Sequence, residues 1–276
     1  MHRDLRVMRA GEAFIHSVNW REPSAPTVFV LGRNDFRRRS AMIDALIDHL
    51  VDCGVAVCWY EHRWQRHARL KEAAYYRICD AWLHALVLAH PRIGAWSRRA
   101  VQCWLRLRYG AAEQLVEQSP EAVHAAAAKC LSDFINKHAL RQVFLVAHSA
   151  GGITAALVQA QTRIQKTVCF GYPFKHPERD AEPYRTSPLR NIVTPYLIVQ
   201  GEADRYGAPG TFSQCAASPA VELLSIQSDH DYQYACPATL SRVLSFLGIA
   251  PFQHQGTPTS YASSSQPHLP AVRGGQ

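Results

Sequence analysis

Short apolar runs alternate with amphipathic stretches along most of the chain, and this pattern predicts strands that alternate with helices. The predicted strands cover 27–31, 54–60, 143–147, 167–171, 196–200 and 221–226, and the predicted helices cover 40–51, 120–137, 151–165 and 238–247. Strand, helix and strand in succession form a βαβ unit, whose crossover makes the sheet parallel. A looser alternation over 5–18 turns at Gly11 and predicts an antiparallel hairpin that starts the sheet. We therefore predict an α/β fold with a mostly parallel, doubly wound sheet.

The regular alternation stops between residues 64 and 117, where three helix-like stretches rich in Trp, Tyr, Leu and Arg take its place. We interpret this segment as a helical cap inserted into a single domain that spans 1–250. Within the cap, residues 95–109 place apolar side chains among four arginines. Such an amphipathic helix either packs on its own domain or rests on a membrane surface. After residue 250 the chain is rich in Gly, Pro, Ser and Gln, which predicts a disordered tail over 251–276.

Composition narrows the class of protein. The 276 residues, 47% of them hydrophobic, suffice for one full core. A formal net charge of +8 is interpreted first as a solvated basic surface. The same charge can steer anionic substrates, membrane surfaces or nucleic acid toward the protein without choosing among them, and we expect no nucleic-acid partner. The eight cysteines include no C-x-x-C pair, which favours reduced thiols over disulfides or a zinc site. Because no signal-peptide-like run and no stretch of about 18 uncharged apolar residues occurs, we expect a soluble, cytoplasmic protein.

The most informative segment reads VFLVAHSAGG and places Ser149 between a predicted strand and a predicted helix. It resembles the nucleophile elbow, G-x-S-x-G, with Ala147 at the position of the first glycine. The residues two before and two after the serine must be small, because strand and helix backbones approach each other at this turn. Alanine adds one methyl group, and Gly151 keeps the other side open. We interpret Ser149 as a nucleophile, the alternative being an ordinary small residue in a strand-to-helix turn.

A serine hydroxyl is a weak nucleophile at neutral pH and needs a base together with an acid that orients the base. Glu202 and Asp204 follow one predicted strand, and His230 follows the next. In an open parallel sheet, functional groups gather beyond the carboxyl ends of the strands. We therefore expect Ser149, one of the two acids and His230 to meet there. His148, at the variable position of the elbow, is interpreted as a packing or hydrogen-bonding neighbour.

From about residue 27 to residue 247 the chain resembles the α/β-hydrolase superfamily. The segments QGEADRYG, SDHDY and FGYPF are similar to its dienelactone-hydrolase-like branch. The resemblance implies that Asp204 is the acid and His230 the base, rather than Glu202 or His254. The sequence departs from that branch at two places. The dienelactone enzymes carry cysteine where Ser149 stands, and the usual His-Gly of the oxyanion loop is Leu-Gly here.

These residues predict acyl transfer without a cofactor or metal. His230 takes the Ser149 proton during attack on an acyl carbonyl, Asp204 holds the imidazole, and an acyl-enzyme forms. The backbone N–H groups of Ala150 and Arg33 are the expected donors to the oxyanion. The substrate is a small acyl compound, either an ester, a thioester or an amide. Two alternatives stay open: a catalytically silent scaffold that binds a partner through the basic insertion, and a lipid esterase or thioesterase at a membrane surface.

Overall fold

A computed structural model describes most of the predicted domain. The described residues are 6–11, 13–20, 23–32, 40–62, 90, 93, 96–97, 100, 103–104, 119–162, 164–178 and 180–248. Arg33, His254, the predicted tail and all but seven residues of the predicted cap therefore lie outside the described residues.

The described residues build one sheet of eight strands. The strands are β1 (Arg6–Ala10), β2 (Ala13–Val18), β3 (Thr27–Leu31), β4 (Ala56–His62), β5 (Val143–His148), β6 (Lys166–Phe170), β7 (Tyr196–Gly201) and β8 (Val221–Ile226). Their order across the sheet is β1-β2-β4-β3-β5-β6-β7-β8. β2 pairs antiparallel with both of its neighbours, and the other five pairs are parallel. The prediction of a mostly parallel sheet that starts with an antiparallel hairpin is confirmed.

Helices connect the parallel strands. They are α1 (Ala41–Asp52), α2 (Pro120–Lys137), α3 (Gly151–Gln159), the single turn α4 (Pro209–Phe212) and α5 (Pro237–Leu247). Ser40 and Ser119 cap α1 and α2, because each hydroxyl accepts a hydrogen bond from a backbone N–H three residues later. Two 3₁₀ turns, Pro183–Arg185 and Ser187–Asn191, lie between β6 and β7.

Both faces of the sheet are covered, as successive side chains of β3 illustrate. Val28 and Val30 belong to an apolar cluster that includes buried residues of α1 and α5. Phe29 and Leu31 belong to a second cluster that includes buried residues of α2 and α3. Because neighbouring side chains of a strand point to opposite faces, this division means that helices pack on both sides. The sheet is therefore doubly wound, with the carboxyl ends of β3 and β5 to β8 along one edge.

Two sequence-based expectations were wrong in detail, and three short elements were not predicted. The helix predicted over 151–165 ends at Gln159, because the chain turns there: the N–H of Thr162 donates to Val158 and that of Gln165 already donates to Val143 in the sheet. The strand predicted over 54–60 starts at residue 56 and extends to 62. Gly54 has a φ of 75° and closes the end of α1 instead. The 3₁₀ turns and α4 carry no periodic signal and were not predicted.

A short stretch of the predicted cap presents apolar side chains to solvent. Positions 93, 96, 97, 100, 103 and 104 are helical. At these positions Ile93, Trp96 and Trp104 are 56%, 74% and 50% exposed. Ile93, Trp96, Ala100, Cys103 and Trp104 are called the apolar helix face below. None of the helices in the described residues is long and apolar enough to cross a membrane.

Candidate active site

Ser149 occupies a strained turn between β5 and α3. Its φ of 52° lies in the left-handed region, which residues other than glycine seldom adopt. Neighbouring backbone holds the turn in place. The Ser149 N–H donates to the Phe170 carbonyl at 3.0 Å, and the Ser149 carbonyl accepts from the Gly152 N–H at 2.8 Å. Strain that the surroundings enforce in this way is typical of functional sites.

Glycines allow the elbow to contact the loop after β3. A Cβ atom on Gly151 would lie 2.5 Å from the Leu31 carbonyl oxygen, and one on Gly32 would lie 2.2 Å from the His148 carbonyl oxygen. Both distances are far below van der Waals contact, so neither position accepts a side chain unless backbone moves. Ala147 is different because its methyl group is buried among the core side chains of the sheet. This explains how alanine fits at the first small position of the elbow.

The three side chains predicted to meet at the carboxyl edge form one chain of hydrogen bonds. His230 Nε2 lies 2.9 Å from Ser149 Oγ, and His230 Nδ1 lies 2.8 Å from Asp204 Oδ2. The Asp204 side chain is fully buried. A carboxylate can only accept, so Nδ1 carries the proton and Nε2 is left to accept the serine proton. The arrangement can therefore deprotonate the Ser149 hydroxyl.

Asp204, and not Glu202, is the acid that contacts the imidazole. Its Oδ1 accepts from the Tyr206 N–H at 2.8 Å, and its Oδ2 accepts from Gln200 Nε2 at 3.0 Å as well as from His230. Glu202 is exposed and accepts instead from the hydroxyl of Ser225 and from the side-chain amide of residue 227. Three donors thus surround the buried Asp204 carboxylate, which stabilises its charge.

Gly171 has no side chain, and this leaves room for the hydrogen bond between His230 and Asp204. Its φ is 60°, and a Cβ atom there would lie 3.0 Å from His230 Nδ1 and 3.2 Å from Asp204 Oδ2. Gly171 directly follows β6, the strand between those that carry Ser149 and Asp204. A side chain at this position would push against the atoms that orient the base.

Aromatic residues hold the loop that carries His230. The Nε2–H of His148 donates to the His230 carbonyl at 3.0 Å, so His148 is the hydrogen-bonding neighbour that the sequence predicted. The Tyr206 ring lies against the imidazole, with 4.5 Å between ring centroids. Tyr232 is buried, and its hydroxyl donates to the Val199 carbonyl at 2.8 Å. These contacts fix the orientation of the base from several sides.

Of the two backbone donors expected for the oxyanion, the structure describes one. Ala150 lies directly after the serine, at the N-terminal end of α3, and is exposed, whereas Arg33 lies outside the described residues. Cys169 is a buried thiol near the elbow, and burial raises its pKa, so it stays protonated at neutral pH. In the part of the chain that the structure describes, no group of three or more His, Cys, Asp and Glu side chains is arranged to hold a metal ion.

Sequence reasoning assigned no role in the site to Gln200, Gly171 and Tyr206, although all three lie in the segments QGEADRYG and FGYPF. For Gln200 a signal existed: a polar residue closes the otherwise apolar run YLIV of a buried strand, four residues before the candidate acid. Buried polar side chains need a hydrogen-bond partner, so this position pointed to a polar neighbour. Gly171 and Tyr206 matter because they lie close to the His230 imidazole in space, and a local sequence pattern does not predict such a contact.

Comparison with known proteins shows which family and which folds this chain is similar to. Residues 109–241 match the model of a family described as an alpha/beta hydrolase domain. An esterase of Pyrococcus furiosus matches with a TM-score of 0.54 and 14% sequence identity, over 90% of this chain and 91% of its own. Puromycin hydrolase matches with a TM-score of 0.50 and 14% identity, over 93% of this chain and 40% of its own. No curated protein sequence matches the chain.

The sheet order and the family match define an α/β-hydrolase fold. Residues 109–241 match that family, and the whole sheet is similar in fold to the esterase structure. This similarity supports a hydrolase. It does not separate the dienelactone-hydrolase-like branch from others, so that finer assignment stays a prediction.

Proposed function

We propose that the protein is a serine hydrolase that cleaves an ester or a related acyl bond through an acyl-enzyme intermediate. One observation carries the proposal: the continuous hydrogen bonds from Ser149 through His230 to the buried Asp204. A hydroxyl within 2.9 Å of an imidazole nitrogen can transfer its proton as it attacks a carbonyl. The names of the two similar structures, an esterase and a puromycin hydrolase, agree with this class of reaction without selecting a substrate.

The proposed reaction has two halves. In the first, His230 takes the Ser149 proton while the serine oxygen attacks the acyl carbon, and the imidazolium then protonates the leaving group. The Ala150 N–H, at the positive end of α3, donates to the oxygen on which negative charge develops. In the second half, His230 activates a water that attacks the acyl-enzyme, and Ser149 recovers its proton. Asp204 keeps the imidazole in the required tautomer throughout.

A fluorophosphonate probe, which reacts with activated serines, tests the proposal directly. We expect the wild-type protein to be labelled at Ser149 and to hydrolyse members of a panel of p-nitrophenyl esters and acyl-CoA thioesters. Ser149→Ala is expected to lose both. Ser213→Ala is the matched control, because Ser213 is exposed and its hydroxyl donates only to Gly210 among the described hydrogen bonds.

Two outcomes would reject the enzyme. Either the folded wild type takes up no probe, or Ser149→Ala hydrolyses the panel as fast as the wild type. The first of these outcomes would favour a silent binding scaffold, whose biological activity Ser149→Ala would leave intact.

A second candidate function places the same chemistry at an anionic lipid surface. The apolar helix face exposes two tryptophans and an isoleucine. In the sequence, five arginines and no Asp or Glu occur between Asp80 and Glu113. Exposed tryptophan combined with excess positive charge is typical of helices that lie in the headgroup region of a membrane. The proposal is therefore a peripheral enzyme whose substrates include lipid esters.

Vesicle flotation tests this second candidate. We expect the wild type to float with phosphatidylserine-containing vesicles and less with phosphatidylcholine alone, and the double variant Trp96→Ser, Trp104→Ser to bind about tenfold more weakly. The control is Val193→Ser with Tyr234→Ser, since these residues are 78% and 75% exposed but lie elsewhere. Equal losses in both double variants would contradict the proposal. A change of oligomeric state without a change of flotation would assign the face to a contact between copies.

A further inference from the structure

We infer that Gln200 is a positioning residue for the acid of the site: its side-chain amide fixes the Asp204 carboxylate and moderates the charge that His230 experiences. The inference rests on the proposed function, because it assigns a role within the same hydrogen-bonded chain. Gln200 lies in β7, behind Asp204, and is fully buried.

The orientation of the Gln200 amide follows from its neighbours. Nε2 lies 3.0 Å from Asp204 Oδ2 and 2.6 Å from the Gly207 carbonyl oxygen. Both partners are acceptors only, so the amino group must face them. The reverse orientation would place the amide oxygen against two other oxygens. Gln200 therefore donates both of its hydrogens, one of them to the acid.

This orientation leaves Gln200 Oε1 buried without a hydrogen-bond partner among the residues that the structure describes. An unpaired buried carbonyl destabilises a folded protein. An apolar side chain would avoid that loss, as the preceding Leu197, Ile198 and Val199 do in the same strand. A contribution to general stability is thus a poor explanation for an amide here, and the hydrogen bond to Asp204 is a better one.

Gln200 donates to the same carboxylate oxygen that accepts the hydrogen bond from the imidazole. Asp204 Oδ2 accepts from both Gln200 Nε2 and His230 Nδ1, and Oδ1 is held by the Tyr206 N–H. With the two oxygens held from different directions, the carboxylate cannot rotate away from the imidazole. The Gln200 dipole also withdraws part of the negative charge. Without it, the carboxylate would attract a protonated imidazole more strongly.

The experiment follows the rate of Ser149 labelling by the fluorophosphonate probe across a pH series. We expect Gln200→Met to lower the plateau rate about tenfold, as befits the loss of a hydrogen bond to a charged group. We also expect the pH of half-maximal rate to rise, because a stronger attraction between carboxylate and imidazolium favours the protonated base.

Gln159→Met is the matched control. Gln159 is buried, donates to Thr167 at 2.6 Å and accepts from Thr194 at 2.8 Å, so its loss also removes two hydrogen bonds, but away from the site. This variant is expected to melt at a lower temperature, with the wild-type plateau and pH profile.

Each outcome decides the matter. An unlabelled wild type rejects the proposed function and this inference with it. If the wild type is labelled and Gln200→Met shows the same plateau rate and pH profile, this inference alone is rejected. It is also rejected if Gln159→Met changes the plateau rate and pH profile as much as Gln200→Met does. If Gln200→Met does not fold, Gln200→Glu replaces it, because the side chain has the same size but presents oxygen to both acceptors. We expect that variant to label about 100-fold more slowly at neutral pH, and wild-type labelling would reject the inference.

Discussion

Asp204→Asn is expected to lower kcat for an activated ester by about 10,000-fold, the loss typical of a triad whose acid becomes an amide. The physical reason lies in the surrounding donors. The Tyr206 N–H and the Gln200 amide both require an acceptor. An asparagine that turns its single oxygen toward the Tyr206 N–H places its amino group where Oδ2 stands, toward the imidazole. His230 would then carry its proton on Nε2 and could not accept the serine proton. Steady-state kinetics of p-nitrophenyl acetate hydrolysis measures the loss.

Glu202→Gln is the control for that measurement. Glu202 is two residues away in the same loop, but it is exposed and contacts Ser225 and Gln227 rather than the base. We expect its kcat to stay within about twofold of the wild type, as for most surface substitutions. Similar losses in the two variants would mean that disturbance of the loop, rather than the charge at 204, limits the reaction.

Gly151→Ala is expected to lower the free energy of unfolding by about 3 kcal/mol and to abolish labelling of Ser149. The new methyl group would meet the Leu31 carbonyl at 2.5 Å and the Gly32 nitrogen at 2.8 Å. These are backbone atoms, so relief requires the elbow and the loop after β3 to move apart. Such a shift would also displace the backbone N–H of Ala150 from the acyl oxygen. Urea unfolding, followed by circular dichroism, gives the change in stability.

Gly210→Ala provides the comparison for the same substitution. Gly210 lies in α4, and a Cβ atom there would have no neighbour within 4 Å. Alanine in open helical surroundings changes stability by less than about 1 kcal/mol, with stabilisation expected where the backbone already suits it. If both variants unfold at the same urea concentration, close backbone approach at the elbow is not what requires glycine.

Strand positions were predictable where local chemistry marks their ends. β3 and β8 have the predicted bounds. β3 is a compact, mostly apolar run that ends just before Gly32, and β8 is a mixed run whose last apolar residue, Ile226, is followed by the polar Gln227. The start of α2 was equally clear from Ser119 and Pro120, a cap followed by a residue suited to the first turn. The end of α3 was not, since the apolar pattern of a helix continues into residues that turn and enter the next strand.

The candidate site was predictable to the extent that it depends on strand ends. The order of Ser149, Asp204 and His230 along the chain, each after a strand, led to the expectation that they meet, and the structure brings them within hydrogen-bonding distance. The role of Gly171 depends on β6 lying between β5 and β7. Sheet order is a property of the whole chain, so contacts of this kind need coordinates.

The positive φ at Ser149 restricts which nucleophiles this turn can evolve. Cysteine has a single γ atom, like serine, and a thiol can replace the hydroxyl by one substitution without new backbone strain. Threonine keeps the hydroxyl but adds a branch at Cβ, which a left-handed residue accommodates poorly. The backbone conformation at residue 149, more than the reactivity of the side chain, thus determines which nucleophilic residues can replace this serine.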